Sequence, residues 1–184
     1  MINVELPTIT VDLVLDRSTA KDVLHGVLHA ILFHRLFGTI KPTSFEVLDI
    51  TVPGVSDPET ERLVNEKVEA FWRGVEGGNN KRGTITVTLS EKKMKKNYWF
   101  SVGEEEVPWE QWVINAELKQ PKTDRERQTF QSSLASTLSK AIETMINYTS
   151  SERGRAVVPP ITDAKGISPF PFKVTVKIGN MEVS

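Results

Sequence analysis

Cysteine is absent from this chain of 184 residues. Disulfide frameworks, thiolate nucleophiles and cysteine-ligated zinc are excluded together, and the composition fits a reducing compartment. Long apolar runs are missing too: none approaches the ~20 residues that span a bilayer, and Met1 to Pro7 lack the basic and apolar blocks of a secretion signal. A cytosolic or nuclear protein is the default expectation. Charge of one sign is balanced by the other, and a net charge of -1 provides no global attraction for nucleic acid or an anionic membrane. Any electrostatic recognition must be local.

With 39% apolar and 26% charged residues, the chain has the composition of an ordinary globule. Its length suits one domain over residues 1–184, able to bury roughly 70% of the surface its unfolded form exposes. Ile9, Val11, Leu13 and Leu15 alternate with mostly polar neighbours, which predicts a strand from Thr8 to Asp16. Ser18 or Thr19 then caps a helix with an apolar stripe of Ala20, Leu24, Val27, Leu28, Ile31 and Leu32, and Gly38 stops it. A second strand is expected from Phe45 to Val52. Ser56, Pro58 and Glu59 form a capping-box pattern for a second helix carrying Leu63, Val64, Val68, Phe71, Trp72 and Val75.

Two further strands are predicted, through Ile85, Val87 and Leu89 and through Trp112, Ile114, Ala116 and Leu118. Thr123 and Glu126 make another capping box, opening a long helix that reaches about Thr149. Its apolar stripe is Phe130, Leu134, Leu138, Ala141, Ile142, Met145 and Tyr148. The opposite face presents Ser132, Ser136, Ser139, Lys140 and Glu143, either a plain solvated surface or one small enough for another element to approach closely. A last strand follows through Phe172, Val174, Val176 and Ile178. Three helices on one side of a largely antiparallel sheet, an α+β fold, accommodate this order.

Catalytic actors are hard to find. No phosphate-binding glycine loop follows a strand, and no serine has a nucleophile elbow. Asp22, His25 and His29 share a helical face, but the glutamate of a zinc-protease helix is missing and Gly26 stands there instead. Exposed side chains without a ligand are the expectation for this trio, with no metal and no cofactor. His34 and Arg35 fall where they would bond the carbonyls at the helix end.

The most informative segment runs from Lys92 to Trp112. Lys92, Lys93, Lys95 and Lys96 lead into Tyr98, Trp99 and Phe100, and Glu104 to Glu106 and Pro108, Trp109 and Trp112 follow. Both flanks of the aromatic triplet demand water, which argues for display at a loop crest. Trp109 and Trp112, next to a strand pattern, are expected to be covered. Lysines beside stacking rings also suit a single-stranded nucleic-acid binder, although the acidic triplet would repel phosphate.

These motifs carry a resemblance. The run Val23 to Leu28 continuing to His34 and Arg35, the lysine-rich segment with Trp99 and Phe100, Val107 to Trp112, Asp124 to Gln128, and Pro171 to Val174 together resemble the autophagy-related protein 101 family over nearly the whole chain. The resemblance implies a HORMA domain without catalytic activity. It further implies that this chain pairs with and stabilises the HORMA domain of autophagy-related protein 13, and belongs to the autophagy-initiation kinase complex in the cytoplasm, recruited to sites of autophagosome formation. It assigns Trp99 and Phe100 to an exposed finger that recruits downstream autophagy factors. The family pattern places a residue between the two rings, whereas here they are adjacent after Tyr98, so the finger is some pair among these three. Little tail remains after Ile178 for functions that rest on a longer C-terminus.

Overall fold

The computed structural model describes residues 5–96, 102–163 and 165–184. Strand β1 (Thr8–Leu15) leads into helix α1 (Ala20–Arg35), then β2 (Pro42–Val47), β3 (Ile50–Val55), helix α2 (Pro58–Gly77), β4 (Arg82–Lys96) and β5 (Val102–Leu118). Helix α3 (Asp124–Ser150), the short α4 (Glu152–Ala156), β6 (Phe172–Ile178) and β7 (Met181–Glu182) complete the order. The main sheet runs β1-β5-β4-β6-β7, with β1 parallel to β5 and every other pair antiparallel; β2 and β3 form a separate hairpin.

Period-2 alternation explains how the sheet is covered. Val11, Leu13, Leu15, Ile85, Val87, Leu89, Trp112, Ile114, Val174 and Val176 are buried, while Asp12, Val14, Asn115, Lys173 and Lys177 on the other parity are exposed. The inward set joins the apolar stripes of α1, α2 and α3 in one contiguous cluster. This is the predicted arrangement of three helices on one side of a mainly antiparallel sheet, and it is HORMA-like.

Local signals account for most boundaries. Thr123 and Glu126 make the predicted reciprocal capping box on α3. On α2 the cap shifts by one residue: the side chain of Asp57, in extended conformation, accepts from Thr60 N–H at 2.9 Å, and Pro58 occupies the first turn. The expected strand from Phe45 to Val52 is two strands joined at Leu48 and Asp49, both with positive φ (51° and 62°). A two-residue hairpin loop requires that geometry, which glycine or asparagine usually supplies. Leucine enters it at a cost of roughly 1–2 kcal/mol, so the apolar alternation hides the turn.

That hairpin alters the environment of α1. Val47 and Val52 lie over Gly26, covering a helix face that would otherwise meet water. Helix α1 is therefore buried on nearly every side, including His29.

Candidate functional site

Strands β4 and β5 continue past the main sheet as a two-stranded arm. Pairing with β6 ends at Leu89 and pairing with β1 begins at Gln111, so from Glu91 to Lys96 only β5 accompanies β4 among the described residues. At ~3.4 Å per residue the projection is on the order of 20 Å. Register places Lys92 opposite Glu106 and Lys93 opposite Glu105, with Lys92 Nζ diagonally 4.0 Å from Glu104. The basic and acidic runs, which look like flanks of a loop in the sequence, are facing strands whose charges oppose one another. Met94 is 60% exposed on this arm. Tyr98, Trp99 and Phe100, between the two strands in sequence, lie outside the described residues.

The root of the arm is a buried polar hub. A register shift between Leu89 and Ser90 aligns Leu89 with Glu110 and Ser90 with Pro108, leaving Trp109 as the extra residue. The bulge allows consecutive residues Trp109 and Glu110 both to be buried, and Pro108 sits where the ladder is interrupted. Arg35, at the end of α1, donates through Nε to Glu110 Oε1 and through Nη2 to Oε2, both at 2.7 Å. Arg35 also donates to the Gly154 carbonyl at 2.8 Å, while Trp112 Nε1–H and the Tyr148 hydroxyl complete the carboxylate's partners at 2.6 and 3.2 Å. Its guanidinium lies 5.6 Å from the ring centres of Trp109 and Tyr148. Burial, and next the Glu110 carboxylate, push the Tyr148 phenol above its ordinary pKa.

This hub corrects the expectation that Arg35 bonds the carbonyls of its own helix end. Its partner is 75 residues away and the carbonyl it reaches belongs to α4. Gly154 is needed there, because a Cβ would collide with the Tyr148 carbonyl. His34 makes no helix-end bond either: its Nε2 is buried without a hydrogen-bond partner among the described residues, and burial followed by the charge of Arg35 lowers its pKa. Glu110 was detectable in principle. It shares the inward parity of Trp112, Ile114, Ala116 and Leu118, and an inward carboxylate demands a partner.

Trp109 and Trp112 are covered as expected, at 7% and 0% exposure. Ser132, Ser136, Ser139, Lys140 and Glu143 are all exposed on α3. Their spacing of four and three continues to Ile146, an apolar side chain 49% exposed. Ile146 borders a cavity of about 400 Å³, which His34, Phe37, Thr149 and Val158 help to line.

Asp22, His25 and His29 are expected to be exposed side chains without a ligand, and of the three only Asp22 is exposed. His29 is fully buried, and the group that meets both histidines is Glu61 of α2: His25 Nε2 is 2.8 Å from Oε1 and His29 Nε2 2.7 Å from Oε2. The three ligand-type side chains have their donor atoms within 4.8 Å of one another. Polarity argues against a cation there. Val55 N–H donates to His29 Nδ1 at 3.1 Å, which leaves Nε2 to carry the proton of the neutral ring and to donate to Glu61. A metal-bound imidazole needs the reverse, a free Nε2 and a protonated Nδ1 donating outward.

Comparison with known proteins decides the family. The family model described as autophagy-related protein 101 matches residues 12–165. The chain belongs to the autophagy-related protein 101 family. It is similar to the protein of that name from Arabidopsis thaliana, 30% identical over 176 residues covering 85% of this chain and 80% of the relative. The Schizosaccharomyces pombe protein of the same name is also 30% identical, over 163 residues covering 89% and 84%. The Rattus norvegicus protein, again of that name, is 22% identical over 182 residues, covering 86% and 82%. As a member of the family, the chain is an autophagy protein. No helix among the described residues is long and apolar enough to cross a membrane.

Proposed function

We propose that this chain is a non-catalytic scaffold of autophagy initiation in the cytoplasm. It pairs with the HORMA domain of autophagy-related protein 13, stabilises that partner within the initiation kinase complex, and draws downstream factors to autophagosome-formation sites through an aromatic finger. The observation that carries this reading is the projecting β4–β5 arm, whose sequence holds Tyr98, Trp99 and Phe100 between the two strands in a chain of this family. A two-stranded ribbon extending past its sheet is marginal on its own. Tryptophan is the side chain most able to anchor a protein interface.

For pairing, the proposed surface is the outer face of α3, where Ser132, Ser136 and Ser139 allow close approach and Ile146 adds apolar area. Charge balance on the arm disfavours the nucleic-acid alternative, because lysines opposed by glutamates have little capacity to replace phosphate counterions.

The test is the double substitution Trp99→Ala with Phe100→Ala. Thermal stability should stay nearly unchanged while capture of downstream autophagy factors is lost and binding to the HORMA partner persists. A large fall in melting temperature would place these rings in the core and remove the finger from the account.

A further inference from the structure

His29 is a buried imidazole bonded on both ring nitrogens. Its Nδ1 accepts from the backbone N–H of Val55 at the end of β3, and its Nε2–H donates to Glu61 of α2. The side chain sits on α1, so one ring joins the β2–β3 hairpin to two helices. Around it, His25 lies 4.5 Å away ring to ring and Phe45 of β2 lies 4.8 Å away. Gly54 provides the space: a Cβ there would stand 3.0 Å from His29 Nδ1 and would collide with the Phe45 ring.

We propose that this ring is a pH-responsive latch, closed while His29 is neutral and opened by its protonation, which releases the end of the β2–β3 hairpin from α1. The mechanism is one of bond polarity. The proton that charges His29 must bind Nδ1, where it would face the Val55 N–H, setting donor against donor and breaking the bond that holds β3. No rotation of a neighbouring hydroxyl relieves this, because a backbone amide has no acceptor form. Glu61 stays satisfied in either state, accepting from His25 Nε2, His29 Nε2 and Asn65 Nδ2.

Other charges nearby do not substitute for the lost bond. On the side of His25, Lys21 is engaged by Glu69 at 2.6 Å, and Asp22 of α1 and Glu46 of β2 line the adjoining cavity of about 460 Å³. Burial first, then the neighbouring His25, lower the pKa of His29 by more than Glu61 raises it. For Glu61, burial works upward, and the hydrogen bonds and charges of His25 and then His29 outweigh it and hold the carboxyl below its usual range. The sign follows. An opened latch exposes an ordinary histidine that binds a proton the closed ring refuses, so closure is complete above about pH 6.5 and is lost as the pH falls below it.

Amide hydrogen exchange by NMR on the full chain tests this, read as protection factors so that the intrinsic pH dependence of exchange is removed. Between about pH 7.5 and 5.5 the protection of Val55 should fall about tenfold, the linkage expected for one proton, while core amides of β4 and β5 keep theirs. In His29→Asn the side-chain oxygen can accept from Val55 without titrating, and protection there should be flat across the same range. Imidazole nitrogen shifts of the unaltered chain supply a readout independent of any variant, and should show His29 at neutral pH with its proton on Nε2. A proton on Nδ1, a displacement of the Nε2 proton by stoichiometric zinc, or Val55 protection that does not vary with pH would each overturn the latch.

Discussion

A charge withdrawn from water at Arg35 is tolerable because every polar direction around Glu110 is occupied. The guanidinium meets the carboxylate in a two-bond fork, and Trp112 and Tyr148 take the remaining lone pairs. Removing one partner leaves the other buried and uncompensated. Glu110→Gln is expected to cost about 3–5 kcal/mol in a denaturant titration. Combining it with Arg35→Met should recover part of that loss, as a coupled pair requires and independent sites forbid. Single substitutions costing under about 1 kcal/mol and adding simply would demote the hub to an incidental contact. From its place at the helix end Arg35 is expected to have only a local duty, because a partner 75 residues away leaves no trace in helical spacing.

Among the elements, α3 and β6 were the most legible. A full capping box and a long apolar stripe fix α3, and uninterrupted alternation fixes β6. The β2–β3 hairpin was not legible, since Leu48 and Asp49 adopt positive φ without the glycine or asparagine that would mark a turn. Missing it also misplaced His25 and His29, whose face is covered by that hairpin and met by Glu61. The role proposed for α3 is testable at this scale. Ser132→Arg with Ser136→Arg inserts two long charged side chains into the exposed stripe, and should weaken binding to the HORMA domain of autophagy-related protein 13 by tenfold or more, about 1.4 kcal/mol or above. Both positions are exposed, so the melting temperature should hardly move. Unchanged affinity would relocate the pairing surface.

For the molecule as a whole, patterning sufficed for the α+β class, since clean alternation in the strands excludes a sheet buried on both faces. The candidate site was legible only in part. Aromatic residues between opposite charge runs single out the segment from sequence, but the cross-strand register that turns those runs into a projecting arm is a long-range property. The hub at the root of that arm ties α1, β5, α3 and α4 together, so the arm is mounted on a buried, hydrogen-bonded junction of four elements. The central claim is that this assembly works by holding other proteins. Isothermal titration of the purified chain with the HORMA domain of autophagy-related protein 13 tests it most directly: the account predicts a saturable one-to-one complex that forms without nucleic acid, and a titration with no detectable binding at high protein concentration would contradict it.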